Sequence, residues 1–171
     1  MKIITYSDAS FRNLPDQISS AGGHVIFIAD QNNNLAPIGW SSNKIKRVVG
    51  STGAAEGLEL QTAISLAIFL RAVLMEIIGI KPTSKIPIES FVDSNNCFQA
   101  VNSTKFVEDK RLRLDIAQIQ ECVRIEDVSV HWVPAERMLA DCLTKSGASS
   151  QMLLSVLQTG RLQGEEKKKR D

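Results

Sequence analysis

The sequence predicts an α/β fold, a five-stranded mixed sheet with helices on both faces, in the order β-β-β-α-β-α-α-β-α. Three observations lead there. Three β-rich runs crowd into the first 42 residues, and one long Ala-, Leu- and Ile-rich run from Ala54 to Ile78 follows with almost no helix breakers. Beyond it, strand-like and helix-like runs alternate, as they do when a chain lays helices on the faces of a sheet. No internal repeat and no linker interrupts the 171 residues. The organisation expected is one domain over 1–147, a C-terminal helix over 148–160 and a charged tail, disordered by composition, over 161–171.

The first strand is Ile3-Ile4-Thr5-Tyr6, running straight into Asp8. A second follows at Gly23 to Ala29 and a third at about Ala36 to Ser42. Between the last two lies Asp30-Gln31-Asn32-Asn33-Asn34. Asn tolerates left-handed φ and bonds its own backbone, so this is turn chemistry and the two strands form an antiparallel hairpin. Ser51-Thr52-Gly53 then supplies cap residues for a helix from Ala54 to Ile78. Its second half is apolar nearly all round, broken only by Ser65, Arg71 and Glu76, which predicts a largely buried helix lying across the sheet.

Pro82 and Pro87 flank a loop, and Ile86 to Asp93 is a strand ending on a carboxylate. Ser94-Asn95 caps a short helix reaching about Val101. Leu112, Leu114, Ile116, Ala117, Ile119 and Val123 mark an amphipathic helix over Glu108 to Arg124. Val128 to Val133 alternates as a strand, with His131 and Trp132 on opposite sides so that one faces the core, and Pro134 stops it. Glu136 to about Lys145 is predicted to be helical, with Met138, Leu139 and Leu143 inward, and Gln151 to Leu157 forms a last apolar helix before Gly160.

Composition narrows the function classes. Hydrophobic residues make up 43% and charged residues 23%, enough apolar surface for a core. Twenty Lys plus Arg against nineteen Asp plus Glu leave a net charge of +1, so attraction to a polyanion must come from local patches. The charge-free stretch of the apolar middle, Leu60 to Leu70, falls short of the roughly 18 apolar residues of a membrane span, and no membrane association is expected. Met1 to Asp8 reaches an acid too early for a signal-peptide apolar region. The expectation is an intracellular protein, cytoplasmic, nuclear or both. Cys97, Cys122 and Cys142 form no C-x-x-C pair and read as reduced thiols. With His24 and His131 the only histidines, zinc chemistry and Ser/His triads have little to rest on.

Carboxylates carry the chemistry instead. Asp8 follows the first strand, Glu56 lies in the first turns of the long helix, Asp93 ends the fourth strand and Asp141 sits in the helix after the fifth. Sites of open α/β sheets gather at the carboxyl ends of strands, where Asp8 and Asp93 can lie side by side. Converging acids repel and raise one another's pKa, so the set makes sense with divalent cations among them. All-oxygen donors suit Mg²⁺ or Mn²⁺.

Taken together, Ser7-Asp8-Ala9-Ser10, Ser51-Thr52-Gly53-Ala54-Ala55-Glu56, Val92-Asp93-Ser94-Asn95 and the run from Trp132 to Asp141 resemble the four acidic motifs of the RNase H family. Within that family, Pro37-Ile38-Gly39-Trp40-Ser41-Ser42, Lys110 to Ile116 and Leu139 to Lys145 resemble the RNase H domain of copia-type LTR retrotransposon polyproteins. The resemblance spans about residues 1–145 and implies an RNase H-like fold. It further implies that Asp8 bridges two Mg²⁺ or Mn²⁺ ions while Glu56, Asp93 and Asp141 complete their shells, with no organic cofactor. The implied reaction is two-metal hydrolysis of the RNA strand of an RNA/DNA hybrid, leaving 5′-phosphate and 3′-hydroxyl ends. RNA would be distinguished by its 2′-hydroxyls across the minor groove, with Ser10 and Asn95 as readers. The implied partner is an adjoining reverse transcriptase.

Three features depart from the family pattern. Glu136 directly follows the Trp-Val-Pro strand where many members carry a loop histidine. The Asn102 to Val107 segment is too short for the extra helix and basic loop with which many members grip substrate. Asp8-Ala9-Ser10 replaces the usual Asp-Gly-Ser. Alternatives remain open at single residues: Glu59, one turn on, competes with Glu56 as a ligand, and Lys145 stands four residues beyond Asp141 at ion-pair spacing. Lys44, Lys46 and Arg47, and Lys105, Lys110, Arg111 and Arg113, are either phosphate contacts or a solvated face. His24 reads as structural or exposed, and Lys167 to Arg170 as a basic patch or an inert tail. A non-catalytic RNase H-like module that binds or tethers nucleic acid is the alternative function, and retention of the acid set argues against it.

Overall fold

A computed structural model describes residues 1–15, 18–79, 85–103 and 107–162. Its elements are β1 (Lys2–Ser10), β2 (Ala21–Ala29), β3 (Leu35–Lys44), α1 (Thr52–Ile77), β4 (Ile88–Val92), α2 (Asn95–Asn102), α3 (Lys110–Ile125), β5 (Val128–Trp132), α4 (Asp141–Thr144) and α5 (Gln151–Thr159), with a 3₁₀ turn at Ala135–Arg137 before α4. The five strands form one sheet in the order β3-β2-β1-β4-β5. β1 pairs antiparallel with β2 and parallel with β4, and β4 is parallel to β5. The predicted five-stranded mixed sheet with helices on both faces is the fold observed.

The β2–β3 hairpin turns as its sequence dictates. The Asp30 carboxylate accepts the backbone N–H groups of Asn32 at 2.7 Å and Asn34 at 2.9 Å, while Asn33 takes the left-handed conformation. β1 lies at the centre of the sheet, and its residues from Ile3 to Ser10 are buried. Alternation sends Ile3, with Ile26, Ile88 and Val128, to the face covered by α1 and α3. Ile4 and Tyr6, with Val25 and Phe27, go to the face covered by Met138, Leu139 and Val156.

The Ser51 hydroxyl caps α1 by accepting the Ala54 N–H. Its inner face carries Leu60, Ala63, Ile64 and Ala67, and Arg71 is buried with them because its guanidinium bonds the carboxylate and carbonyl of Glu126. The absence of a side chain at Gly57 lets α3 come close: a Cβ there would stand 2.7 Å from Leu112 Cδ1. On the other face, α5 ends at Gly160, whose φ of +66° turns its carbonyl to accept the Leu35 N–H at 2.7 Å.

The structure differs from the sequence expectations at several points. The second half of α1 is not largely buried, since Phe69 and Ile77 are 62% and 75% exposed. The sheet covers only one side of the helix, and no described element covers the other. An 18-residue window of α1 has a mean hydropathy of 1.7, long and apolar enough to cross a membrane by composition, which the charge-free count missed because Arg71 and Glu76 interrupt it; here the helix lies across the sheet. β1 runs on past Asp8 to Ser10, because Gly22 and Gly23 on β2 extend the pairing.

The helix expected from Glu136 to Lys145 is broken in two. Met138, Leu139 and Ala140 are all buried in succession, which helical residues 100° apart cannot be on a single buried face, so the chain turns there and α4 starts at Asp141. Neither His131 nor Trp132 is buried, because the chain leaves the sheet at the end of the edge strand β5. His131 stacks on Phe91, and Trp132 Nε1–H donates to the Asp93 carbonyl at 2.9 Å.

Candidate active site

The β1–β4 register pairs Tyr6 with Phe91, and their rings stack with centroids 5.0 Å apart. Two residues further along the chain from each stand Asp8, still on β1, and Asp93, just past the end of β4. The buried Leu139-Ala140 plug seats the chain against this face, so that Asp141, the next residue, arrives beside them. Asp8, Asp93 and Asp141 each offer a carboxylate oxygen within 4.8 Å of the other two. Asp8 is almost wholly buried, whereas Asp93 and Asp141 open partly to solvent.

Glu56 approaches from the first turns of α1, beside the trio rather than within it. The Ser94 hydroxyl hydrogen-bonds its carboxylate while accepting the Cys97 N–H as the cap of α2. Glu59, the competing ligand, is turned away. It lies on the α1 side of the sheet, its Oε1 2.6 Å from His24 Nδ1, with both residues buried. Gly22 makes room for that pair, since a Cβ there would fall 2.1 Å from Glu59 Oε2. His24 is therefore structural and buried.

Two residues complete the centre. The Thr144 hydroxyl donates to Asp8 Oδ2, and Lys145 Nζ donates to Asp8 Oδ1 at 3.4 Å and to Asp141 Oδ1. The sequence spacing pointed to the Lys145–Asp141 pair; the contact with Asp8, 137 residues away, had no sequence signal.

Burial raises the Asp8 pKa above the ordinary carboxylate value, opposed by the Thr144 hydrogen bond and Lys145 and reinforced by Asp93 and Asp141. Burial also raises Glu56, against the Ser94 hydrogen bond and with help from Asp93 and Asp8. Asp93 is raised by burial and by Asp141, against Lys145. Burial pulls the Lys145 ammonium down, but its hydrogen bond to Asp141 and the charges of Asp8, Asp141 and Asp93 outweigh it, so its pKa rises. Burial and Glu56 push the Cys97 thiol up to about 12, as suits an unreactive thiol.

The donor set fits a hard divalent cation. It holds carboxylate oxygens and neither His nor Cys, Asp8 and Asp93 are destabilised as anions, and an ammonium already bridges Asp8 and Asp141 where a cation would sit.

The other predicted residues divide. Ser10 is buried at the end of β1, and Asn95 is exposed at the start of α2, next to Ser94. Lys44, Lys46, Lys110 and Arg111 are exposed, and Arg111 reaches the Val48 carbonyl at 3.4 Å, which brings the two sequence-distant basic runs together. Arg47 is committed to Asp115, and Arg113 holds the Val107 and Glu108 carbonyls, so both stabilise the fold. Lys105 and the basic tail lie outside the described residues.

Sheet order, helix placement and the position of the acids define an RNase H-like fold. Solved structures of that fold resemble the chain over most of its length. The N-terminal RNase H domain of a Mycobacterium tuberculosis protein matches with a TM-score of 0.60 and 16% identity, over 93% of this chain and 95% of the other. LC11-RNase H1, isolated from compost by a metagenomic approach and solved in complex with an RNA/DNA hybrid, matches at 0.58 and 21%, over 84% and 94%. The prototype foamy virus protease–reverse transcriptase matches at 0.50 and 16%, over 77% of this chain and 17% of the other. No protein-family model and no curated protein sequence matches this chain.

Proposed function

We propose that this protein is a metal-dependent endoribonuclease of the RNase H type, hydrolysing the RNA strand of RNA/DNA hybrids. The observation that carries the reading is the convergence of Asp8, Asp93 and Asp141 within 4.8 Å, with Glu56 alongside, at the carboxyl ends of two parallel strands. Asp8 and its three companions would hold two Mg²⁺ or Mn²⁺ ions. Metal held by these carboxylates would supply Lewis-acid activation of a water and of the leaving 3′ oxygen, and the products would carry 5′-phosphate and 3′-hydroxyl ends.

The chain's own residues do the rest. Asp8, anchored on the central strand and oriented by the Thr144 hydroxyl, is the fixed acid of the set. Ser94 aims Glu56, and Trp132 ties down the backbone of Asp93. Asn95, exposed two residues after Asp93, would meet a 2′-hydroxyl, and the exposed Lys44, Lys46, Lys110 and Arg111 would meet phosphates. The copia-like motifs, together with a likeness to part of a viral reverse transcriptase chain, support an origin in a retrotransposon polyprotein, with an adjoining reverse transcriptase as partner and action in the cytoplasm or nucleus.

The test is cleavage of a labelled RNA/DNA hybrid with Mg²⁺, Mn²⁺ or EDTA, beside single-stranded RNA, duplex RNA and duplex DNA. Metal-dependent cutting confined to the hybrid's RNA, lost in Asp8→Asn, is the expected result. No cutting, with metal shown to bind and reverse transcriptase supplied, would replace this reading with a non-catalytic nucleic-acid-binding module.

A further inference from the structure

A cation of the chain's own already stands in the acidic centre. Lys145 Nζ lies 3.4 Å from Asp8 Oδ1 and also bonds Asp141 Oδ1, so one ammonium bridges two of the three converging carboxylates. A divalent ion held by Asp8 and Asp141 draws on the same two carboxylates, and a second cation beside them meets strong repulsion. Of the groups involved, Lys145 is the one free to move. Asp8 is fixed on the central strand with its side chain 1% exposed, whereas the Lys145 side chain is 41% exposed on a flexible four-carbon stem. The backbone leaves α4 at Lys145 in an extended conformation. Lys145 also borders an open groove of about 310 Å³, lined by Ser42, Asn43, Ser146 and the exposed Lys44, through which a displaced ammonium can reach solvent.

Resting on the reading of this centre as a divalent-cation site, we infer that Lys145 is its resident counter-ion, neutralising Asp8 and Asp141 in the metal-free protein and competing with the divalent ion for their oxygens. The lysine thereby holds the repelling acids in their folded places before metal arrives, at the cost of metal affinity. Among the described residues Lys145 hydrogen-bonds Asp8 and Asp141 and not Asp93 or Glu56, and these two acids keep the centre attractive to a divalent charge.

The experiment titrates the metal-stripped full chain with Mg²⁺ and Mn²⁺ by calorimetry, comparing wild type with Lys145→Met and Lys145→Arg, and follows melting with EDTA or saturating metal. Lys145→Met should bind Mg²⁺ at least about tenfold more tightly. It should melt below wild type in EDTA, with the gap closing in saturating metal, while Lys145→Arg keeps the weaker affinity. A merely structural lysine would lower stability without tightening metal binding. If wild type binds metal and Lys145→Met binds no better, the counter-ion inference fails and the metal site stands. If neither protein binds Mg²⁺ or Mn²⁺, both readings fail. Should Lys145→Met not fold, nitrogen-15 NMR of the wild-type lysine ammonium decides: protection without metal that survives Mg²⁺ saturation overturns the inference, and its loss supports it.

Discussion

Asp93→Asn should make the metal-free protein more stable. Asp93 stands within 4.8 Å of carboxylates on Asp8 and Asp141, with Glu56 nearby and, among the described residues, Lys145 as the cation bonded into the group. Two unit charges at that distance repel by about 3 kcal/mol at an effective dielectric constant near 20. Lys145 offsets roughly one of the two nearest repulsions, and solvent reaching the part-exposed Asp93 screens the remainder to about 1 kcal/mol. In a chain of this length that corresponds to a melting temperature about 2–4 °C higher. The sign with pH follows from the raised pKa values. A carboxyl whose folded pKa exceeds its unfolded value carries no penalty below the unfolded value, and the fold loses stability as pH rises through the folded value. The advantage of Asp93→Asn should therefore be largest at pH 7 and shrink as pH falls toward about 4. The assay is thermal unfolding in EDTA across that range, repeated with saturating Mg²⁺, which should stabilise wild type more than the variant. A variant that melts at or below wild type in EDTA at pH 7 would refute the account of a strained, cation-requiring acid cluster.

Gly23→Ala should loosen the last helix of the site, because the new Cβ would stand 2.8 Å from Leu143 Cβ and 2.9 Å from Thr144 Cγ2. A loss of about 1–3 kcal/mol in urea unfolding is expected, with weaker Mg²⁺ binding since α4 carries Asp141; unchanged values would mean that α4 is not seated as described. Arg47→Ala should cost about 1–2 kcal/mol by leaving the buried Asp115 unpaired, without altering the salt dependence of hybrid binding. Lys46→Ala should do the reverse, sparing stability and lowering the slope of log affinity against log salt by about 1. Equal effects of the two variants on the slope would place Arg47 on the substrate.

Local chemistry explains what was legible in the sequence. The Asp30 turn, the Ser51 and Ser94 caps and the β-branched runs each depend on residues within a few positions, so their elements could be read directly. Boundaries slipped where partners elsewhere in the chain decide. β1 continues past Asp8 because Gly22 and Gly23 lie opposite, and the predicted helix over 136–145 breaks because the sheet takes up Met138, Leu139 and Ala140 in succession. The exposed outer face of α1 was misjudged because hydropathy records what a segment could bury and says nothing of how many layers the fold supplies to bury it against.

The candidate site divides along the same line. The sequence alone determined the order of the elements and singled out four candidate acids, because strand ends and helix starts are local features and Asp8, Glu56, Asp93 and Asp141 sit at or near them. Only the tertiary structure decided which acids meet: the parallel register of β1 and β4 brings Asp8 to Asp93, and the Leu139-Ala140 plug delivers Asp141. It likewise sent Glu59 to His24 on the α1 face of the sheet, took Arg47 for Asp115, and brought Lys145 to Asp8. A side chain's partner depends on distance in space, and pairs 35 to 137 residues apart have no spacing in the sequence to announce them.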